Sequence, residues 1–187
     1  MLRFQPTEPT AFRQHAVRYP MTPEERAFLE RARVAALATV DAEGRPHVVP
    51  ICFAVLAPAA RSTRPEPANA RGTGNGAPDD ETDGIALVSA IDEKPKSTVD
   101  LQRVRNVRAN PRVTVLVDRY REDWSRLAWL QGRGRARILE SDASSHADAV
   151  SALKAKYDQY GHHELGDRPI VSIAIERTVS WGALTDE

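Results

Sequence analysis

The sequence predicts an α+β domain, mainly β, with six strands and flanking helices. Three stretches carry that expectation. Arg112 to Asp118 (RVTVLVD) alternates apolar and polar residues, the period-2 pattern of a half-buried strand. Val34 to Val40 (VAALATV) and Arg45 to Leu56 (RPHVVPICFAVL) are apolar runs joined by the turn Asp41-Ala42-Glu43-Gly44, which reads as a hairpin. Leu127 to Glu140 (LAWLQGRGRARILE) is a longer run bent by glycines, expected as one long strand.

The remaining elements follow in chain order. Residues 1–20 have no periodicity and carry Pro6, Pro9 and Pro20, so they read as a flexible arm; a second reading makes Met21 the true start. Thr22-Pro23-Glu24-Glu25 holds three helix-start cues: a capping Thr, a Pro at the first helical position, and a Glu placed for a capping box. That helix is expected to reach about Arg33. Pro50 cannot donate to a ladder, which implies an edge or a bulge in its strand. Residues 57–84 are Ala, Pro, Gly and charge with almost no large apolar residue, the composition of a disordered insertion. The flanking strands can still pair across it, because loop-closure cost grows only logarithmically with length.

Ile85 to Ile91 (IALVSAI) reads as a buried strand. Ser97 to Ala109 reads as a short helix capped by Ser97, with Leu101, Val104 and Val107 recurring every three residues and Asn110-Pro111 ending it. Asp142 to Tyr160 is expected as a helix with Ala147, Val150, Leu153, Ala155 and Tyr157 toward the core, and Pro169 to Trp181 as the last strand. Residues 21–187 therefore read as a single domain.

Composition narrows the function. The chain has 26 basic and 26 acidic residues, so no global charge draws it to nucleic acid or membrane. The one cysteine, Cys52, excludes an internal disulfide or a multi-cysteine metal site. No apolar run approaches the roughly 20 residues that span a bilayer, and the N-terminus has no apolar signal core, which points to a cytoplasmic protein. No Ser-His-Asp arrangement, Walker loop or dinucleotide fingerprint stands out.

Two of the few lysines lie in Asp92-Glu93-Lys94-Pro95-Lys96, between a predicted strand and a predicted helix. A strand end followed by a helix N-terminus offers free N–H groups to an anion, and Lys94, Lys96 and Arg103 would complete a phosphate site. The same residues also fit a solvated turn in which the lysines pair with Asp92 and Glu93. Arg133, Arg135 and Arg137 share one face of a strand and read as a solvated stripe rather than a nucleic-acid surface, since no aromatic ladder interleaves them. Trp129 and Trp181 read as core or interface residues, whereas Trp124, at a loop end, is harder to place in a core. His162-His163 lacks a third spaced ligand and reads as a surface loop.

The order of these elements and three motifs resemble the pyridoxamine-phosphate-oxidase-like split barrels, a superfamily of flavin and deazaflavin oxidoreductases. The motifs are the hairpin ALATVDAEGRPHVVPICF, the helix-to-strand segment RVRNVRANPRVTVLV from Arg103 to Val117, and Gly134-Arg135-Ala136-Arg137-Ile138 of the long strand. The closing Val179-Ser180-Trp181-Gly182 is also similar. The resemblance implies a six-stranded antiparallel split β-barrel and a homodimer with cofactor sites at the subunit interface. SAIDEKPK and DWSRL resemble the branch that uses the deazaflavin coenzyme F420.

Carried over by motif, the resemblance implies cofactor-lining backbone at Val49, Pro50 and Ile51, and a strand end meeting the ring or ribityl chain at Val88 and Ser89. It puts the phosphate clamp at Arg103, where lysine is usual, with Lys94 and Lys96 beside it, and Trp124 near the cofactor or subunit boundary. Arg keeps the charge and adds a bidentate fork. The implied function is an F420-dependent oxidoreductase moving a hydride to or from a small organic substrate. An FMN-dependent enzyme of the same fold is the alternative, and a non-catalytic cofactor carrier or haem binder, with His47, His162 and His163 as candidate ligands, is a third. No catalytic acid or base is assigned; Tyr120 is a conceivable proton donor.

Overall fold

Helix α1 (Pro23–Arg31) starts as its sequence cues require. The Thr22 hydroxyl accepts from the Glu25 N–H at 3.2 Å, and the Glu25 carboxylate accepts from the Thr22 N–H at 3.1 Å, closing the capping box. The same carboxylate accepts from Thr178 Oγ1 at 3.1 Å and Ser180 Oγ at 2.8 Å, so the cap also ties α1 to the far end of the chain. These contacts belong to a computed structural model that describes residues 21–56, 85–91 and 101–185. The expected arm at 1–20, the insertion at 57–84 and the Lys94-Pro95-Lys96 turn lie outside the described residues.

The strands are β1 (Val34–Val40), β2 (Pro46–Cys52), β3 (Ala54–Leu56), β4 (Ala86–Ala90), β5 (Arg112–Arg119), β6 (Ala128–Leu139) and β7 (Ile170–Gly182). All pair antiparallel in one sheet, in the order β2-β1-β5-β6-β7-β4-β3. The α+β class is as expected, with seven strands in place of six. The extra one arises because Arg45–Leu56 is not one strand: β2 pairs with β1 and β3 pairs with β4, at opposite ends of the strand order.

Phe53 alone separates β2 from β3. The sheet must therefore curl until its two edges meet at that residue, which gives the barrel its closure. Phe53 takes no ladder partner in this register. Its N–H donates to Tyr157 Oη at 3.0 Å, and the Tyr157 hydroxyl lies 2.9 Å from the Phe53 carbonyl and 2.6 Å from the Arg33 carbonyl. One buried hydroxyl thus satisfies the backbone at the seam.

Inside the curl, Leu37, Ile51, Phe53, Leu87, Val115, Val117, Leu130 and Ile173 form the main core. Helix α2 (Gln102–Ala109) adds Val104 and Val107 to it. Helix α3 (His146–Lys156) covers the outer side of β3 and β4, where Ala54, Val88 and Ala90 pack with Ala149 and Leu153.

Two helix expectations need correction. The N-cap of α2 is Leu101, with no side-chain cap, so the helix starts later than expected, and Ser97 lies outside the described residues. The third helix starts at His146 and ends at Lys156, followed by a short 3-10 turn at Asp158–His162, and its buried face is His146, Ala149 and Leu153, with Tyr157 just past its end. Ala147 and Ala155 are exposed. Alanines carry little apolar area, so their spacing does not decide which way a helix rolls.

Candidate functional site

Strand β2 is one end of the strand order, so one of its backbone edges is free of ladder pairing, as its proline requires. Pro50 is exposed and lies opposite Ala36. Ile51 is buried in the main core and Val49 packs against it, so these two offer a ligand backbone rather than side chain. The segment expected to line a flat ring therefore presents an open edge with one N–H missing, a surface that such a ring can approach.

Arg103 is half-buried in the first turn of α2. Its position is fixed from beneath. The buried Asn106 amide donates to Thr39 Oγ1 of β1 at 3.0 Å, and Gln102 Nε2 donates to Asn106 Oδ1 at 2.7 Å. Asn106 and Thr39 thereby tie α2 to β1, the strand that pairs with β2. Neither was singled out as a site residue from the sequence. The signal present was Asn106 within the RVRNV motif; its partner on another strand is a long-range pairing that spacing does not reveal.

Val88 and Ser89 fit less directly. Val88 is fully buried beneath α3, and its strand pairs on both sides, with Ala54 and with Ser172. Its side chain belongs to the core. Ser89 is 2% exposed and its strand neighbours Leu87 and Ile91 join the main core. Lys94 and Lys96 lie outside the described residues.

Trp124 is 69% exposed at the head of a 3-10 turn, Trp124–Arg126. The Asp123 carboxylate accepts from the Ser125 hydroxyl at 2.7 Å and the Ser125 N–H at 3.0 Å, bonds that hold its pKa below the usual range and fix the turn. This turn follows the C-terminal end of β5, while α2 precedes its N-terminal end. At about 3.3 Å per residue the strand keeps the two roughly 23 Å apart. The fold does not bring Trp124 and Arg103 together within one chain.

The barrel seam carries the strongest electrostatic perturbation. Lys156 Nζ sits 4.2 Å over the Phe53 ring, and the Arg33 guanidinium lies 4.5 Å over the Tyr157 ring. Burial, then the nearby Arg33 charge, pushes the Lys156 amine down to about 8. Burial also raises the Tyr157 phenol above its ordinary value. Lys156 Nζ also donates to the Leu29 carbonyl of α1 at 3.4 Å, and Tyr157 meets Tyr160 edge-on.

Of the other candidates, Tyr120 is exposed, His47 is half-buried, and His162 and His163 are exposed. Buried His146 is held by the Arg168 carbonyl at 2.7 Å from its Nε2. Among the described residues no group of three or more His, Cys, Asp or Glu is gathered for a metal, and no helix is long and apolar enough to cross a membrane.

The family model for pyridoxamine 5'-phosphate oxidase matches residues 21–182, from the α1 cap to the end of β7. The chain belongs to that family. Solved structures agree on the fold. A conserved hypothetical protein of Mycobacterium tuberculosis is 20% identical, with 87% of this chain and 85% of that one covered and a TM-score of 0.57. A haem-binding protein of Mycobacterium smegmatis is 17% identical, with 85% of this chain and 52% of that one covered, at 0.59. The haem storage protein of Vibrio cholerae is 16% identical, with 86% and 92% covered, at 0.52. No curated protein matches the chain in sequence. The split β-barrel expected from the motifs is the fold observed.

Proposed function

We propose that the protein is an oxidoreductase that uses coenzyme F420 to move a hydride to or from a small organic substrate, with FMN as the alternative cofactor. The observation that supports this reading is the open β2 edge at Pro50, with Arg103 on a helix that Asn106 and Thr39 tie to the neighbouring strand β1. A bound deazaflavin or flavin supplies the hydride chemistry; the protein supplies binding, orientation and exclusion of water. Val49, Pro50 and Ile51 offer backbone to the ring, Arg103 with Lys94 and Lys96 offers charge to the phosphate, and Ser89 stands at the adjoining strand. The F420 preference rests on SAIDEKPK and on DWSRL, whose tryptophan is an exposed, rigidly turned aromatic.

A homodimer belongs to the same proposal. Val34, Val48, Leu116 and Trp181 are 53%, 59%, 37% and 47% exposed on the outer face of β1, β2, β5 and β7, with Pro50 and Ala36 between them. A second copy on this apolar face would bury it and bring its own Trp124 with it.

Binding titration against F420 and FMN tests the reading: saturable F420 binding tighter than FMN supports it, and its absence removes the F420 version. The haem alternative draws on the two haem-related proteins of like fold. It predicts a Soret band on haem addition that His47→Ala or the His162/His163 double alanine variant abolishes.

A further inference from the structure

We propose that the arginine-bearing end of the outer sheet face binds a small linear oligoanion, a chain of phosphate or carboxylate groups. The register sets cation against cation there twice: Arg112 lies opposite Arg135, and Arg133 lies opposite Arg177. Directly opposed side chains of an antiparallel pair sit about 5 Å apart at Cβ, and like charges in that position destabilise the sheet. Arg137 continues the row along β6.

Solvation accounts for the exposed arginines at 112, 133, 135 and 137 but not for Arg177. That residue is half-buried, and its Nε is buried with no hydrogen-bond partner. A buried donor left unmet costs free energy, so Arg177 is held at this face without its full set of partners. None of the five arginines forms an ion pair with a described carboxylate. The one acid among them, Glu176, is the extra residue at the bulge where β6 and β7 shift register, and it is exposed.

The surface between these side chains is low. Ala174 lies opposite Arg135 with Ala86 beyond it, and Ser172 lies opposite Arg137. Two residues along β6 span about 7 Å, so a single anionic group meets one row while a chain of them meets both. The proposal does not depend on the cofactor reading.

The test is calorimetric titration of the full chain with sodium tripolyphosphate, with ionic strength held constant by sodium chloride. The proposal expects saturable binding and a rise in Tm. It expects the Arg133→Gln/Arg135→Gln variant to fold, to be at least as stable without ligand because both opposed pairs are broken, and to bind at least tenfold more weakly. Arg45→Gln, an exposed arginine on the β1–β2 turn, should leave tripolyphosphate binding unchanged, which separates this site from general surface charge. A response that sodium chloride alone reproduces, unchanged affinity in the double variant, or tighter binding of a single-stranded oligonucleotide than of tripolyphosphate would overturn it.

Discussion

Replacing Tyr157 by phenylalanine removes one hydroxyl and leaves the Phe53 N–H, and whichever of the Phe53 and Arg33 carbonyls takes its one proton, without a partner at the seam. The expected loss is about 1–3 kcal/mol in urea unfolding. The same cluster gives stability a pH signature. Lys156 titrates near 8 in the fold against 10.5 for an unperturbed lysine, so its burial penalty is full below about pH 8 and fades as pH rises toward 10.5. Tyr157 is shifted the opposite way, so the folded state keeps a proton that the unfolded chain sheds, and stability falls again above about pH 10. Melting followed against pH should show a maximum near about pH 10, and Tyr157→Phe should lose the high-pH decline. At the other site, Arg103→Gln should weaken cofactor binding about tenfold or more with Tm little changed, because a charge-assisted contact is lost from a helix that Asn106 still anchors. Lys94→Ala/Lys96→Ala should weaken it in the same direction; unchanged affinity would reduce that turn to a solvated loop.

Among the elements, the β6–β7 pair has the least room for change. A Cβ added at Gly134 would stand 1.9 Å from the Ala174 carbonyl oxygen, beside the register shift at Arg133 and Gly134. Gly134→Ala is expected to cost about 3 kcal/mol, measured as a fall in Tm, whereas Gly161→Ala, which meets nothing within 4 Å, should be close to neutral. Much at this scale was legible beforehand. The capping box, the hairpin, the clean alternation of β5 and the long glycine-bent strand are local patterns, and each formed where its residues placed it. The break at Phe53 was not legible, because the run is apolar throughout from Val48 to Leu56 and the side chain that holds the break is Tyr157, 104 residues on. The roll of α3 escaped for a related reason: alanine occupies both its buried and its exposed sides.

For the whole molecule, the expected behaviour is self-association through the apolar outer face. A Val48→Glu/Leu116→Glu variant should remain folded by circular dichroism yet elute as a monomer in light-scattering chromatography, since both residues are exposed in the single chain. If cofactor binding falls with it while Arg103 is intact, the second copy contributes to the site. A variant that still dimerises would move the interface elsewhere. The candidate site was only half legible in the sequence. Motif spacing named the β2 segment and Arg103 as candidates, but the placement of Trp124 relative to Arg103 depends on which end of β5 each adjoins, and that is a property of the sheet.

The closure at Phe53 also supplies a built-in reporter. Its amide hydrogen is held by a side chain following α3 rather than by a neighbouring strand. Ladder amides on either side exchange with solvent only when strands separate, but this one becomes free whenever α3 lifts. In a hydrogen–deuterium exchange time course, Phe53 should exchange ahead of Ile51 and at the rate of α3 undocking. One backbone position then times the opening of the barrel without any label.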